Sequence, residues 1–223
     1  MKTLYPKQES ACSFFANCHK LKRNTLDTSV VGTGKTVVAV QLAMRLQRPV
    51  AVICPKAVVT SWERELAEHN VKPLFVTNYE KIRTGKGQWV SKIGKKIFQW
   101  NLPADTIVLL DESHKMKSPF SQNAQLLISL VQQGFSVHCM SATAAEDSSE
   151  MRALGYALNL HALNKPTGQL KSWFSWMMQN GCKQDFWKQW KLMDRGKLKD
   201  VRASMYGVTS HRLTVADFPD SFK

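Results

Sequence analysis

Residues 30–36 read VVGTGKT and lead directly into KTVVAVQLAMRLQ (35–47), where apolar residues recur at three- and four-residue spacing. A loop that holds phosphates needs backbone N–H groups aimed at the anion, glycines that let the chain come close, a lysine for the β- and γ-phosphates, and a hydroxyl for magnesium. Gly32, Thr33, Gly34, Lys35 and Thr36 supply that set. The helix expected from Lys35 onward adds the partial positive charge of its N-terminus. Ser29 stands where the strict pattern has Gly or Ala, a small departure that the backbone tolerates. The stretch predicts a phosphate-binding loop that opens a helix.

Outward from this loop, four short apolar runs recur: VAVIC (50–54), LFVT (74–77), TIVLL (106–110) and SVHCM (136–140). The two clearest are rich in β-branched residues and do not alternate, as suits strands covered on both faces of a parallel sheet. VTSWERELAEH (59–69) and NAQLLISLVQQ (123–133) carry helical spacing, and WVSKIGKKIFQW (89–100), set between the loops RTGKGQ and NLP, is expected to be a further helix. The alternation predicts an α/β layered architecture with a mostly parallel sheet. The third run continues as TIVLLDESHKMKS (106–118) and ends in two acids. Phosphoryl transfer to water needs a metal anchor and a group that positions or deprotonates the water. Asp111 suits the first role and Glu112 the second.

Lys56, Thr60, Ser61 and Thr77 fall just after two of the expected strands, on the side where ligands gather in open α/β sheets. Hydroxyls at helix starts are good phosphate seats, so these four are candidate nucleic-acid contacts; helix capping is the alternative role for Thr60 and Ser61. Composition agrees with a polyanionic partner: 31 basic against 17 acidic residues leave a net charge of +14. With 43% hydrophobic residues in 223, the chain can bury a real core, which excludes a disordered protein. The five cysteines lack paired CxxC spacing and read as reduced residues. Cys12, Cys18 and His19 have no second half-site of matching spacing, so no zinc site is expected. No signal core or membrane-length apolar run is visible, and a soluble, cytoplasmic protein without membrane partners is expected.

GTGKT, DESH and SAT (141–143), in this order, resemble motifs I, II and III of superfamily 2 helicases. ICPKAVVTSWERE and VTNYEKIR resemble motifs Ia and Ib of the Swi/Snf-like branch, LYPKQ resembles its leading motif, and HRLTVADFPDSF resembles the segment that leads toward a second lobe. The resemblance is to compact phage or bacterial members, and implies a cytoplasm that is a bacterial cell's or an infected host's. It implies a RecA-like P-loop NTPase lobe of three layers, with ATP and Mg2+ as ligands. It assigns Gln8 to adenine, Lys35 and Thr36 to phosphates and magnesium, and Asp111 and Glu112 to hydrolysis. His114, Ser141 and Thr143 relay nucleotide state to the nucleic-acid groove, and Lys56, Thr60, Ser61 and Thr77 grip one strand's backbone. Val30 and Val31 replace an acidic-Met pair, Ala144 replaces a Pro and Asp147 an Asn; none removes a group that touches phosphate or metal.

Residues 1–163 are expected to form this lobe, and 164–223 a Trp- and Lys-rich helical appendage with the start of a linker. Trp173 with Trp176, and Trp187 with Trp190, are three apart and would share helix faces, with core packing the expected role and base stacking the alternative. The family keeps motifs IV to VI and its arginine fingers in a second lobe. The expected function is therefore the first motor lobe of a DNA-dependent ATPase, a helicase or translocase acting on duplex or single-stranded DNA or on RNA, hydrolysing poorly without a second RecA-like lobe in cis or trans. The alternatives are a non-hydrolysing regulatory or decoy module that binds ATP and DNA, and a structural interaction protein whose nucleotide site is vestigial.

Overall fold

A computed structural model describes residues 3–94, 97–144, 146–186 and 190–218. The chain opens with α1 (Pro6–Lys20), β1 (Thr25–Asp27), α2 (Lys35–Leu46), β2 (Val50–Cys54), α3 (Val59–Glu68), β3 (Phe75–Asn78) and a single turn, α4 (Tyr79–Ile82). β4 (Lys86–Gly87), β5 (Val90–Ile93) and β6 (Ile97–Trp100) form a small antiparallel sheet of their own. The main alternation resumes with β7 (Ile107–Asp111), α5 (Gln122–Gln132), β8 (Ser136–Met140) and α6 (Arg152–Ala157). α7 (Trp173–Gln179), the antiparallel pair β9 (Cys182–Gln184) and β10 (Trp190–Leu192), α8 (Arg195–Met205) and β11 (Ser210–His211) follow.

Six strands make one sheet in the order β11-β1-β8-β7-β2-β3, and every neighbouring pair is parallel. Alternate side chains of its central strands serve two cores. Ala51, Ile53, Val108 and Leu110 pack on the side of α5 and α6, while Val50, Val52, Cys54, Ile107 and Leu109 pack on the side of α1, α2 and α3. That is the expected three-layer α/β arrangement. Each fully buried Ile or Leu there contributes about 1.5–3 kcal/mol relative to exposure, so the continuous apolar runs both specify and hold the sheet.

Register fixes the rim that matters. Asp27 lies opposite Met140, and Met140 opposite Asp111, while Cys54 lies opposite Asn78. The segments that follow β1, β2, β3, β7 and β8 therefore emerge at one edge of the sheet, as carboxyl ends of parallel strands must.

Three expectations need correction. Residues 89–100 are not a helix: β5 and β6 form a hairpin with Val90 opposite Trp100 and Lys92 opposite Phe98. Val90, Phe98 and Trp100 are buried while Ser91, Ile97 and Gln99 are exposed, a period of two, and Gly94 at φ +66° begins the turn. α5 holds the hairpin, since Trp100 Nε1 donates to Ser129 Oγ at 2.8 Å. Gln133, just past α5, accepts from Trp100 N and donates to Phe98 O. Second, the Trp- and Lys-rich segment is not wholly helical, because Trp190 lies in strand β10; Trp187 lies outside the described residues. Trp173 is buried in α7 against Met177 and Cys182, which is core packing. Third, β1 and β11 have no counterpart among the expected strands, yet they extend the main sheet.

Candidate nucleotide-binding site

The loop between β1 and α2 turns through two residues in the left-handed region, Gly32 (φ +88°) and Gly34 (φ +83°). Side chains disfavour that region, and a Cβ on Gly34 would also run into Gln8 Nε2. Thr33 Oγ1 donates to Val30 O at 2.8 Å and closes the turn. Lys35 Nζ folds back over it, donating to Ser29 O at 2.9 Å and Val30 O at 3.2 Å. The ammonium thus sits above the loop, within reach of an anion seated there. Thr36, half-buried, occupies the first turn of α2, whose N-cap is Gly34.

Gln8 reaches this loop from α1. Its Nε2 donates to Thr33 O at 2.8 Å and its Oε1 accepts from Tyr5 N at 3.0 Å. An amide has two donors and two lone pairs, so among the described residues one N–H and one lone pair of Gln8 remain. Ser29 has a task that sequence did not indicate: its Oγ accepts from Leu213 N at 2.8 Å, and Val30 N donates to Leu213 O at 2.9 Å. The segment after β11 is thereby laced to the first limb of the loop. Asp27, at the end of β1, is a further site residue that sequence reading did not single out. It is buried, its Oδ1 accepts from Ser29 N at 2.8 Å, and burial pushes its carboxyl above the usual range while the Ser29 hydrogen bonds and Lys35 oppose the rise.

β7 delivers the two acids. Asp111 Oδ2 accepts from Trp62 Nε1 at 2.9 Å and Oδ1 from Glu112 N at 2.9 Å, while Asp111 O accepts from Tyr79 Oη at 2.6 Å. Burial raises the Asp111 carboxyl; the Trp62 bond lowers it, the Glu112 charge raises it, and Lys35 lowers it. Glu112 takes φ +52°, uncommon for a residue with a side chain. Its Oε2 lies 3.0 Å from His114 Nδ1, which lies 3.3 Å from Ser141 Oγ, which accepts from Thr143 N at 3.3 Å. Glu112, His114, Ser141 and Thr143 are thus brought into one chain of contacts from β7 to β8.

Lys56 is exposed in the short turn before α3, Thr60 and Ser61 are exposed in its first turn, and Thr77 is half-buried in β3. The N-cap of α3 is Val58, with no side-chain cap bond, so Thr60 and Ser61 do not cap this helix. All four lie at the same rim as the β1–α2 loop.

Thr36, in the first turn of α2, and Asp111, at the end of β7, carry hard oxygens, the donor type that suits magnesium. Among the described residues no group of three His, Cys, Asp or Glu side chains could hold a metal. Magnesium beside a triphosphate needs none, because it is held by one or two protein oxygens plus phosphates and water, so the residues fit. Among the described residues, too, no helix is long and apolar enough to cross a membrane.

No protein-family model matches the chain. Among solved structures, the Sulfolobus solfataricus SWI2/SNF2 ATPase core in complex with dsDNA aligns over 96% of this chain with a TM-score of 0.62 and 16% identity. The chain has the fold of just under half of that SWI2/SNF2 ATPase core. The same core domain solved separately aligns over 98% of the chain, again with a TM-score of 0.62. In sequence the chain is 32% identical over 155 residues to the Acanthamoeba polyphaga mimivirus protein named "Putative ATP-dependent RNA helicase L364". The chain spans 29% of the mimivirus protein and 45% of each Sulfolobus core.

Proposed function

We propose that the chain is the ATP- and nucleic-acid-binding first motor lobe of a Swi/Snf-like DNA-dependent ATPase, whose hydrolysis is completed by a second RecA-like lobe. The observation that carries this reading is the shared rim: Lys35, Asp111, the Glu112–His114–Ser141 contacts and the exposed Lys56, Thr60 and Ser61 all stand at the carboxyl ends of one parallel sheet.

In this reading the loop amides and Lys35 Nζ receive the β- and γ-phosphates, the ammonium exchanging the Ser29 and Val30 carbonyls for phosphate oxygens. Thr36 and Asp111 would hold magnesium, which would neutralise charge on the phosphates. Glu112 orients the attacking water and accepts its proton, and the His114 ring 3.0 Å away reports the state of that carboxylate to Ser141. Gln8 presents its remaining donor and acceptor to adenine. Lys56, Thr60, Ser61 and Thr77 hold a nucleic-acid backbone. Contacts of that kind position without reading sequence.

Phosphate release, measured with the chain alone and with a second lobe fused after it or added in trans, tests the reading. DNA-stimulated turnover is expected only when the second lobe is present, because an arginine finger is worth roughly 10³–10⁵ in rate. Robust DNA-stimulated turnover by the lone chain would overturn the two-lobe account. Duplex DNA is the proposed track; the mimivirus relative's name favours RNA as the second reading, and equal stimulation by an RNA duplex would support it.

A further inference from the structure

Two buried side chains converge on Asp111 from the nucleic-acid side of the rim. Trp62 is 1% exposed and Tyr79 is 0% exposed. Trp62 directly follows Thr60 and Ser61 in the first turn of α3, and its indole donates to the Asp111 carboxylate at 2.9 Å. Tyr79 follows Thr77 by two residues at the junction of β3 and α4, and its hydroxyl donates to the Asp111 backbone oxygen at 2.6 Å. A buried indole or phenol needs some partner. Here both choose the same residue, one through its side chain and one through its main chain.

We propose that Trp62 and Tyr79 are positioning residues that link nucleic-acid contact at α3 and β3 to the placement of the Asp111 carboxylate. The inference rests on the reading of the rim given under Proposed function. The geometry supplies the lever. Asp111 Oδ1 is occupied by the Glu112 N–H and Oδ2 by the Trp62 N–H, so these two donors fix the plane of the carboxylate and leave one lone pair on each oxygen for a metal or its water. Magnesium demands near-ideal octahedral geometry. Any shift of the first turn of α3 as Thr60, Ser61 and the preceding Lys56 take up a phosphate backbone moves the indole N–H, and with it the Asp111 carboxylate. The Tyr79 bond holds the end of β7 to the β3–α4 junction, so the two segments that would grip nucleic acid act on one residue.

The test is a linkage measurement on the full chain, with a fluorescent ATP analogue as the nucleotide and a short blunt DNA duplex as the nucleic acid. Nucleotide affinity is measured with and without magnesium, and with and without duplex, in the parent, Trp62→Phe and Tyr79→Phe. Phenylalanine keeps apolar bulk in both places and removes the donor; thermal melting identifies a variant that has lost its fold, and the other variant then carries the test. In the parent the duplex is expected to change magnesium-dependent nucleotide affinity by a factor within the usual range for coupled sites, about 5- to 150-fold. Each variant should keep parental metal-free nucleotide affinity and parental duplex affinity, while that factor falls toward one. A residue with a merely structural role would leave the factor unchanged. Parental coupling in the variants, or no coupling in a parent that binds both ligands, overturns the relay and leaves the reading of the rim standing. A parent that binds nucleotide with magnesium but not the duplex overturns the nucleic-acid half of that reading and the relay with it. A parent that binds no nucleotide overturns both.

Discussion

Glu112 carries its carboxylate on backbone at φ +52°, with Oε2 against His114 Nδ1 and its own N–H spent on Asp111. A left-handed backbone for such a residue persists only where its surroundings over-determine it, and here it aims two adjacent acids in different directions. Glu112→Gln keeps the shape and the Asp111 interactions but removes the proton acceptor, so ATP affinity in magnesium should match the parent. Turnover of the two-lobe assembly should fall by about 10²–10⁴, the usual worth of a general base. A Gln variant that no longer binds ATP would show that Glu112 is structural. Lys35→Ala should do the reverse, abolishing nucleotide binding with the melting temperature held, because among the described residues the hydrogen bonds of Lys35 Nζ go to the loop carbonyls of Ser29 and Val30; equal affinity in fluorescent-nucleotide titration would refute this. The glycine turn that opens α2 and the two acids that end β7 were legible because each is local in sequence. Asp27, Trp62, Tyr79 and the Ser29–Leu213 bond were not, since each acts through a partner that only the folded sheet brings near. Trp62 read as an ordinary apolar position of an amphipathic helix. Burial at 1% agrees with that reading, and the direction of its N–H is what adds a role.

At the scale of elements, the strands that could be read were those buried on both faces, β2, β7 and β8, whose unbroken apolar runs have no other stable home. β1 and β11 are three and two residues long, too short to show a period, and they exist because β8 offers β1 an edge and β1 offers one to β11. α1 escaped for a different reason: its buried face mixes Gln8 and His19 with Ala11, Cys12, Phe15 and Ala16, so the apolar stripe is broken by polar residues and built largely from small ones. The β5–β6 hairpin was misread as helix because WVSKIGKKIFQW satisfies both periods, and the decision lay with Gly94 and with α5, which holds the second strand through Gln133 and Ser129. Gln133→Ala should therefore destabilise the chain by about 1–2 kcal/mol, since it strips partners from Trp100 N and Phe98 O together. A fall in melting temperature of about 2–8 °C is the expected reading for a chain of this size. An unchanged melting temperature would mean that water replaces both bonds without cost.

Over the whole molecule, charge and burial pull on stability from opposite directions. The net charge of +14 should draw nucleic acid to the rim with an affinity that falls steeply between roughly 50 and 200 mM salt, each phosphate contact adding about 0.9 to the slope. A salt-independent affinity would rule out the backbone grip. The same positive excess leaves little to compensate a proton taken up inside, and one buried cluster is built from neutral imidazoles. His19 Nε2 and His138 Nδ1 lie 2.9 and 2.8 Å from the Thr25 hydroxyl, beneath α1, with the Phe15 ring packed on His138. Burial lowers the His19 imidazole to about 4, helped by the nearby charge of Arg48, and lowers His138 well below its ordinary value, helped by His19. A depressed histidine contributes stability that is fully present above its unfolded value near 6.5 and is lost as the pH falls toward the folded value. For His19 that difference amounts to about 2 kcal/mol by pH 5, on the order of 3 kcal/mol in full. Asp27 and Asp111, raised by burial, act in the opposite sense, so protonating them favours the fold, and they offset part of the loss at the acid end. The melting temperature should accordingly drop by about 4–8 °C or more between about pH 7 and pH 5. His19→Gln keeps an uncharged amide facing Thr25 and should flatten that drop while lowering stability at neutral pH. A melting temperature that stays level to pH 5 in the parent, or a Gln variant with the parental slope, would show that the imidazole pair does not set the acid limit of the fold.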